Sequence, residues 1–93
     1  MGKEYKIRIA NVPAGADRDL RAIRFFADVD EQHGLYNLRS TSTTGMPNAW
    51  VQIEPDGLYF CDNGGSVADS AMIFRSIIDL ALRWSDKIEL EEL

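Results

Sequence analysis

Cysteine is nearly absent from this sequence, which contains Cys61 as its single thiol. One thiol excludes an intrachain disulfide and any zinc site that takes two thiolates from the same chain. A lone thiol is typical of proteins in a reducing compartment, where disulfides do not persist. We therefore expect a cytoplasmic protein.

Long apolar runs are also missing. No stretch approaches the roughly 20 apolar residues that a membrane-spanning helix needs. Residues 1–10 lack the extended apolar segment that a signal peptide carries. We expect neither a membrane span nor a signal peptide, and we predict no membrane partner.

Basic residues are outnumbered, because 10 Lys and Arg stand against 15 Asp and Glu, for a net charge of −5. Nucleic-acid backbones and anionic membranes repel such a chain on average. The basic and aromatic run that is typical of RNA-recognition strands is absent as well. The charge argues against nucleic acid as a partner and favours a basic protein.

Catalytic and metal-binding patterns are lacking too. One histidine, His33, and one cysteine, without any family signature, do not indicate a nucleophile–base pair. The scattered carboxylates do not have the spacing of metal ligands. We predict no catalytic residue, no metal and no cofactor, and hence a protein that is not an enzyme.

The patterns that are present are those of a globular chain. With 93 residues, of which 45% are hydrophobic and 27% charged, the sequence predicts a single α+β domain over residues 1–93. Alternation of apolar and polar side chains predicts five strands. They cover residues 5–12, 35–43, 49–54, 58–62 and 87–93.

Apolar residues with helical spacing predict two helices. The first covers residues 17–33, with Asp17 as its N-cap and Gly34 as the left-handed residue after its end. The second begins at Ser66, which has the spacing of a capping box with Asp69, and ends near residue 84. The order β-α-β-β-β-α-β predicts a two-layer α/β sandwich, with two helices on one face of a mixed five-stranded sheet.

The charges of the first and last strands predict that the two are neighbours. Lys6 and Arg8 alternate outward on the first strand, and Glu89 and Glu91 do so on the last. Opposite charges on adjacent strands stabilise the pairing by roughly 0.2–1 kcal/mol per pair. We therefore expect these strands to lie side by side.

The segment from Asp62 to Ser66 has two interpretations. Backbone N–H groups of Gly64, Gly65 and Ser66 at a helix N-terminus are typical of an anion site. The same residues also suit a strand-to-helix turn with a serine cap. Because no lysine follows the glycines and no G-x-G-x-x-G is present, the turn is favoured, and anion or small-molecule binding is the alternative.

Two surfaces are unusual. The uncovered sheet face is expected to carry aromatic and charged side chains, which interface cores favour. Its expected members are Lys6, Arg8, Arg39, Trp50, Gln52, Tyr59 and Glu89. On the second helix, Ile73, Leu80 and Trp84 widen the apolar arc, and this flank packs either on the first helix or on a partner.

These features predict a small, acidic, non-enzymatic module for protein–protein interaction, of the inhibitor, antagonist or immunity type, that binds a basic partner. The predicted partner-binding residues are Arg8, Arg39, Trp50, Gln52, Tyr59, Ile73, Leu80 and Trp84. Two alternatives stand beside this function. One is a small-molecule or anion-binding domain that uses the 62–66 loop, and the other is a structural homodimer.

Overall fold

The structure, a computed structural model, describes residues 3–40 and 46–93. It contains two helices and six strands within those residues. In chain order they are β1 (Lys3–Arg8), α1 (Ala16–Arg21), β2 (Phe26–Asp30), β3 (Leu35–Leu38), β4 (Ala49–Glu54), β5 (Gly57–Asp62), α2 (Val67–Trp84) and β6 (Glu89–Glu92). The α+β class predicted from the sequence is confirmed.

The six strands form one sheet in the order β2-β3-β4-β5-β1-β6. All neighbouring strands are antiparallel, so the expectation of a mixed five-stranded sheet was wrong. The predicted neighbourhood of the first and last strands is confirmed, since Lys6 lies opposite Glu91 and Arg8 opposite Glu89. Strands β2 to β5 form a meander, and β1 inserts between β5 and β6.

The extra strand arises where the long first helix was expected. Helix α1 ends at Arg21, and β2 begins at Phe26, so the prediction of a helix over residues 17–33 is confirmed for residues 17–21 and was wrong beyond them. The register between β2 and β3 shifts between Phe26 and Asp28, so Ala27 is an additional residue in the strand. Because of this bulge, Phe26 and Val29 lie on the same face although they are three positions apart. That spacing is the one a helix produces, which explains the error.

The turn from β2 to β3 contains the left-handed glycine that the sequence indicated. Gly34 has φ +68, and its N–H donates to the carbonyl oxygen of Asp30 at 2.7 Å. The conformation was predicted correctly, but the residue closes a hairpin turn rather than ending a helix. Residues 41–43, the end of the strand predicted over 35–43, lie outside the described residues.

Helix α2 has the bounds that the sequence predicted. Ser66 is its N-cap, and its hydroxyl oxygen accepts from the N–H of Asp69 at 3.1 Å. Ile73, Ile77 and Leu80 are buried against the sheet. The buried cluster combines them with Ile7, Leu20, Leu38, Val51, Leu58 and Phe60, so α1, α2 and the sheet share one core.

Candidate functional site

The sheet face that points away from α2 is the surface where the predicted interaction residues collect. Strand pairing places alternate residues of each strand on it. We call this set the open face: Glu4, Lys6, Arg8, Asp28, Asp30, Leu35, Asn37, Trp50, Gln52, Glu54, Tyr59, Cys61, Glu89 and Glu91. Trp50 therefore points outward, as the alternation of β4 indicated.

An aromatic pair lies near the middle of the open face. Trp50 on β4 lies opposite Cys61, and Tyr59 on β5 lies opposite Gln52, so the two rings are diagonal neighbours. Their centroids are 5.3 Å apart and their planes are 21° from parallel, which is a stacked arrangement. Both side chains are half-buried. The pair presents a broad and rigid apolar surface in the middle of a polar face.

A charged network borders the aromatic pair. Lys6, directly opposite Tyr59, is only 8% exposed and donates to the carboxylates of Glu54 and Asp56, the latter at 2.6 Å. Arg8 donates to Glu91 at 2.8 Å and lies 3.9 Å from Asp56. The network ties β1 to the β4–β5 hairpin on one side and to β6 on the other.

The protonation of this network is set by its internal bonds. Burial acts to lower the pKa of Lys6, but the hydrogen bonds that Lys6 donates to Asp56 and Glu54 outweigh burial, and the pKa is raised. The bond from Lys6 lowers the pKa of Asp56. Both groups are therefore charged at neutral pH. The two cations are already engaged within the protein, so they offer little attraction to an acidic partner.

Carboxylates dominate the rest of the open face. On β2, Asp28 accepts from the side chain of Asn37 at 2.8 Å, and Asp30 lies 2.9 Å from His33 Nδ1. On β6, Glu89 and Glu91 face the same way. The face thus has an acidic border on both edges of the sheet and an aromatic centre. The β2 carboxylates were not predicted for this face, because residues 17–33 were expected to form a helix.

Cys61 lies on the open face beside this centre, opposite Trp50. Its thiol is half-buried, and Sγ is 3.6 Å from Asn63 Oδ1. Burial, together with the charges of Glu4 and Asp62, raises the pKa of the thiol. A protonated thiol is a poor nucleophile, so Cys61 is suited to packing beside Trp50.

The predicted flank of α2 is not a surface. Ile73 is 0% exposed and Leu80 is 1% exposed, so neither residue is accessible to a partner. Trp84 is half-buried, and its indole N–H donates to Asp19 Oδ2 of α1 at 2.9 Å. This flank therefore packs within the protein, and including Ile73 and Leu80 among the binding residues was wrong. Arg39 follows β3 and is half-buried, and its backbone N–H donates to the carbonyl of Phe25.

The 62–66 loop uses its own donors internally. The N–H of Gly64 donates to Asp62 Oδ1 at 2.8 Å, and the hydroxyl of Ser70 donates to the same oxygen at 3.3 Å. Gly64 and Gly65 have φ of +101 and +117, which glycine adopts without strain. The Asp62 carboxylate thus already accepts one of the backbone N–H groups that an anion site would use, so the geometry favours a strand-to-helix turn.

A cleft of about 320 Å³ opens beside this loop, between β1 and the first turns of α2. Tyr5, Phe60 and Phe74 pack together along it, with the Tyr5 and Phe74 rings 4.8 Å apart. Lys3 and Asp62 bring opposite charges to its walls. The cleft is the feature that keeps small-molecule binding as an alternative.

The described part of the chain has neither a metal-binding cluster nor a membrane-spanning helix. Among residues 3–40 and 46–93, no group of three His, Cys, Asp or Glu side chains is placed to hold a metal ion. Neither helix of this part combines the length and apolar character that a membrane crossing requires.

No protein-family model matches the chain, and comparison with curated proteins and with solved structures gave no match.

Proposed function

We propose that this chain is a small, non-enzymatic protein-interaction module that binds a basic protein through its open face. The observation that carries the proposal is the stacked pair of Trp50 and Tyr59 in the middle of an acidic sheet surface. Tryptophan and tyrosine are the residues that most often carry the binding energy of interfaces. The acidic border would attract and orient a positively charged partner.

The face is well prepared for binding. Its backbone belongs to paired strands, and the stacked rings have few conformations left to lose. Bonds to Glu54, Asp56 and Glu91 hold Lys6 and Arg8, so their charges need no rearrangement when a partner docks. Inhibitors, antagonists and immunity-type proteins act by occupying a partner's surface in this way, and we place the chain in that group.

The test begins with affinity capture from the native host, followed by titration of the purified partner by calorimetry. Trp50→Ala is expected to weaken binding at least about 30-fold, which corresponds to roughly 2 kcal/mol for a central aromatic residue. Met72→Ala is the matched control, because Met72 is 44% exposed on α2. Affinity should fall as salt is raised, since salt screens exposed charges.

Two results would contradict the proposal. One is a partner that binds Trp50→Ala and Tyr59→Ala as tightly as the wild type. The other is a stable dimer, in light scattering across a wide concentration range, that Trp50→Ala dissociates. The second result would assign the open face to a second copy of this chain.

The cleft beside the 62–66 loop supports the alternative of small-molecule binding. Its aromatic walls and the Lys3 ammonium group suit a small anionic ligand with an apolar part. A thermal-shift screen with phosphates, nucleotides and carboxylates tests it. A stabilisation that Phe74→Ala removes, and that Trp50→Ala leaves unchanged, would favour this alternative.

A further inference from the structure

Strand β6 is an edge strand whose side chains are all exposed. It pairs with β1 on one side and is the last strand of the sheet on the other. Leu90 is 50% exposed and Leu93 is 61% exposed. An accessible edge with apolar side chains is a template for pairing with another chain, and most proteins protect such edges.

The outward backbone groups of β6 follow from its pairing. The N–H of Leu93 donates to the carbonyl oxygen of Glu4 at 2.8 Å, so Leu93 directs its backbone groups toward β1. In an antiparallel pair the direction alternates from residue to residue. Glu89 and Glu91 therefore also bond toward β1, and the N–H and C=O groups of Leu90 and Glu92 point away from the sheet.

The helix side of this edge offers apolar surface. Leu90 lies opposite Ile7, so its side chain is on the face that α2 covers. Leu90 nevertheless remains 50% exposed, so α2 leaves it accessible. A second cavity of about 490 Å³ is bordered by Ile9, Ile88 and Glu89 at the start of β6. An added strand would cover this surface with its own apolar side chains.

The other side of the edge is acidic. Glu89 and Glu91 lie on the open face, where Arg8 pairs with Glu91. The side chains of an added strand alternate between the two faces. Its residues on the α2 side would meet Leu90 and Glu92, and those on the open face would meet Glu89 and Glu91.

We propose that β6 is a docking strand, and that its occupant is an extended partner segment with alternating basic and apolar side chains. The segment adds to the sheet as a seventh strand by β-augmentation. The outward groups of Leu90 and Glu92 form the backbone hydrogen bonds, Leu90 receives the apolar side chains, and Glu89 and Glu91 receive the basic ones. This proposal is independent of the Trp50–Tyr59 pair.

A second copy of this chain is a poor occupant. If β6 of one copy paired antiparallel with β6 of another about a twofold axis, the open faces of the two sheets would join. Open-face residues of one copy would then lie opposite open-face residues of the other. One register places Glu89 opposite the other copy's Glu91, and the next places two Glu91 side chains opposite each other. Like charges directly across a strand pair are destabilising. The charge of the edge thus selects a basic strand.

The test is amide hydrogen exchange by NMR on the full chain, with a short synthetic peptide of alternating lysine and valine. We expect the peptide to slow exchange at Leu90 and Glu92 at least about tenfold, because these N–H groups become hydrogen-bonded. The same peptide with alternate backbone nitrogens methylated, so that its edge donates no hydrogen bonds, should give no protection.

Two variants of one residue separate docking from folding. Glu92→Pro removes an outward N–H that β1 does not use, and proline is tolerated at such edge positions. It is expected to abolish protection at Leu90, whereas Glu92→Ala keeps the N–H and should retain it. The Leu93 amide, which bonds to Glu4, reports whether β6 is still paired with β1 in both variants.

Three results would overturn the proposal. The first is an absence of protection at Leu90 and Glu92 at millimolar peptide. The second is equal binding to Glu92→Pro and Glu92→Ala. The third is a concentration-dependent dimer in which these amides are protected without peptide. Peptide shifts confined to β4 and β5 would overturn the docking strand while supporting the proposed function of the open face.

Discussion

Gly57, at the start of β5, is the residue whose position depends most strictly on a distant strand. A Cβ atom at this position would overlap the carbonyl oxygen of Ile7 and lie 2.9 Å from the carbonyl carbon of the same residue. The residue also has φ +152. Gly57 pairs with Arg8, so the backbone of β1 runs directly beside it. The glycine is thus required by close backbone approach as well as by its turn.

Replacement of Gly57 by alanine is expected to cost more than about 3 kcal/mol of unfolding free energy, because overlap with backbone atoms adds to dihedral strain. Gly34→Ala is the matched control. Gly34 has φ +68 but no heavy atom within 4 Å of the added Cβ, so the cost should be only about 1–2 kcal/mol. Urea unfolding of both variants measures the difference, and equal costs would refute the close approach of β1.

The sequence alone predicted part of this residue-scale detail. Pro55, Asp56 and Gly57 indicated a turn between two strands, and the structure has one there. The orientation of Trp50 was also predicted correctly, because the opposite phase would have exposed Val51 and Ile53. The contact between Gly57 and Ile7 was beyond prediction, since it depends on which strand lies beside β5.

At the scale of elements, the end of α2 is joined to α1 by one polar contact. The indole N–H of Trp84 donates to Asp19 Oδ2 at 2.9 Å. Helix α1 has only six residues, too few to be stable without tertiary contacts. The bond to Trp84, together with the burial of Leu20, holds α1 against the core.

Trp84→Phe should therefore destabilise the protein, because it removes the indole donor and leaves the Asp19 carboxylate with one bond fewer. A double-mutant cycle with Asp19→Ala is expected to give a coupling energy of about 1–2 kcal/mol. The measurement is chemical unfolding of the wild type, the two single variants and the double variant. Additive effects of the two substitutions would show that the contact adds no stability.

The elements differed in how well the sequence predicted them. Helix α2 has regular spacing and a clear serine cap, and both of its ends were predicted. Strand β2 was mistaken for a helix because the bulge at Ala27 replaces the alternation of a strand with the spacing of a helix. The open face was correctly expected over β1, β4, β5 and β6, and its β2 portion was lost with that strand.

At the scale of the whole molecule, stability should depend on pH at both ends of the range. Hydrogen bonds from Tyr36, Arg21, His33 and Lys6 lower the pKa of Asp17, Asp30 and Asp56. Their contribution is present above the unfolded pKa near 4 and is lost as pH falls through the lower folded values. The protein is expected to lose stability in acid.

Tyr36 determines how the stability of the protein changes at alkaline pH. Burial, assisted by the bond from its hydroxyl to Asp17 at 2.6 Å, raises the pKa of Tyr36 to about 12. Its contribution is complete below the unfolded pKa near 10 and is lost as pH rises through about 12. Urea unfolding across the pH range should show that Tyr36→Phe loses less unfolding free energy at alkaline pH than the wild type does. The variant should also lose less unfolding free energy in acid, because Asp17 loses its main hydrogen bond. Unchanged curves would contradict the role of this pair.

The insertion of β1 between β5 and β6 also constrains the order of assembly. During synthesis β1 emerges before β5 and β6, the strands on either side of it. Its apolar residues Tyr5 and Ile7 therefore stay unpaired until the second half of the chain has been made. The meander from β2 to β5 is made of local hairpins that close early, whereas pairings distant in sequence close late. A nascent chain that stalls before β5 would carry an unpaired apolar strand, and it would need a chaperone at that stage more than at any later one.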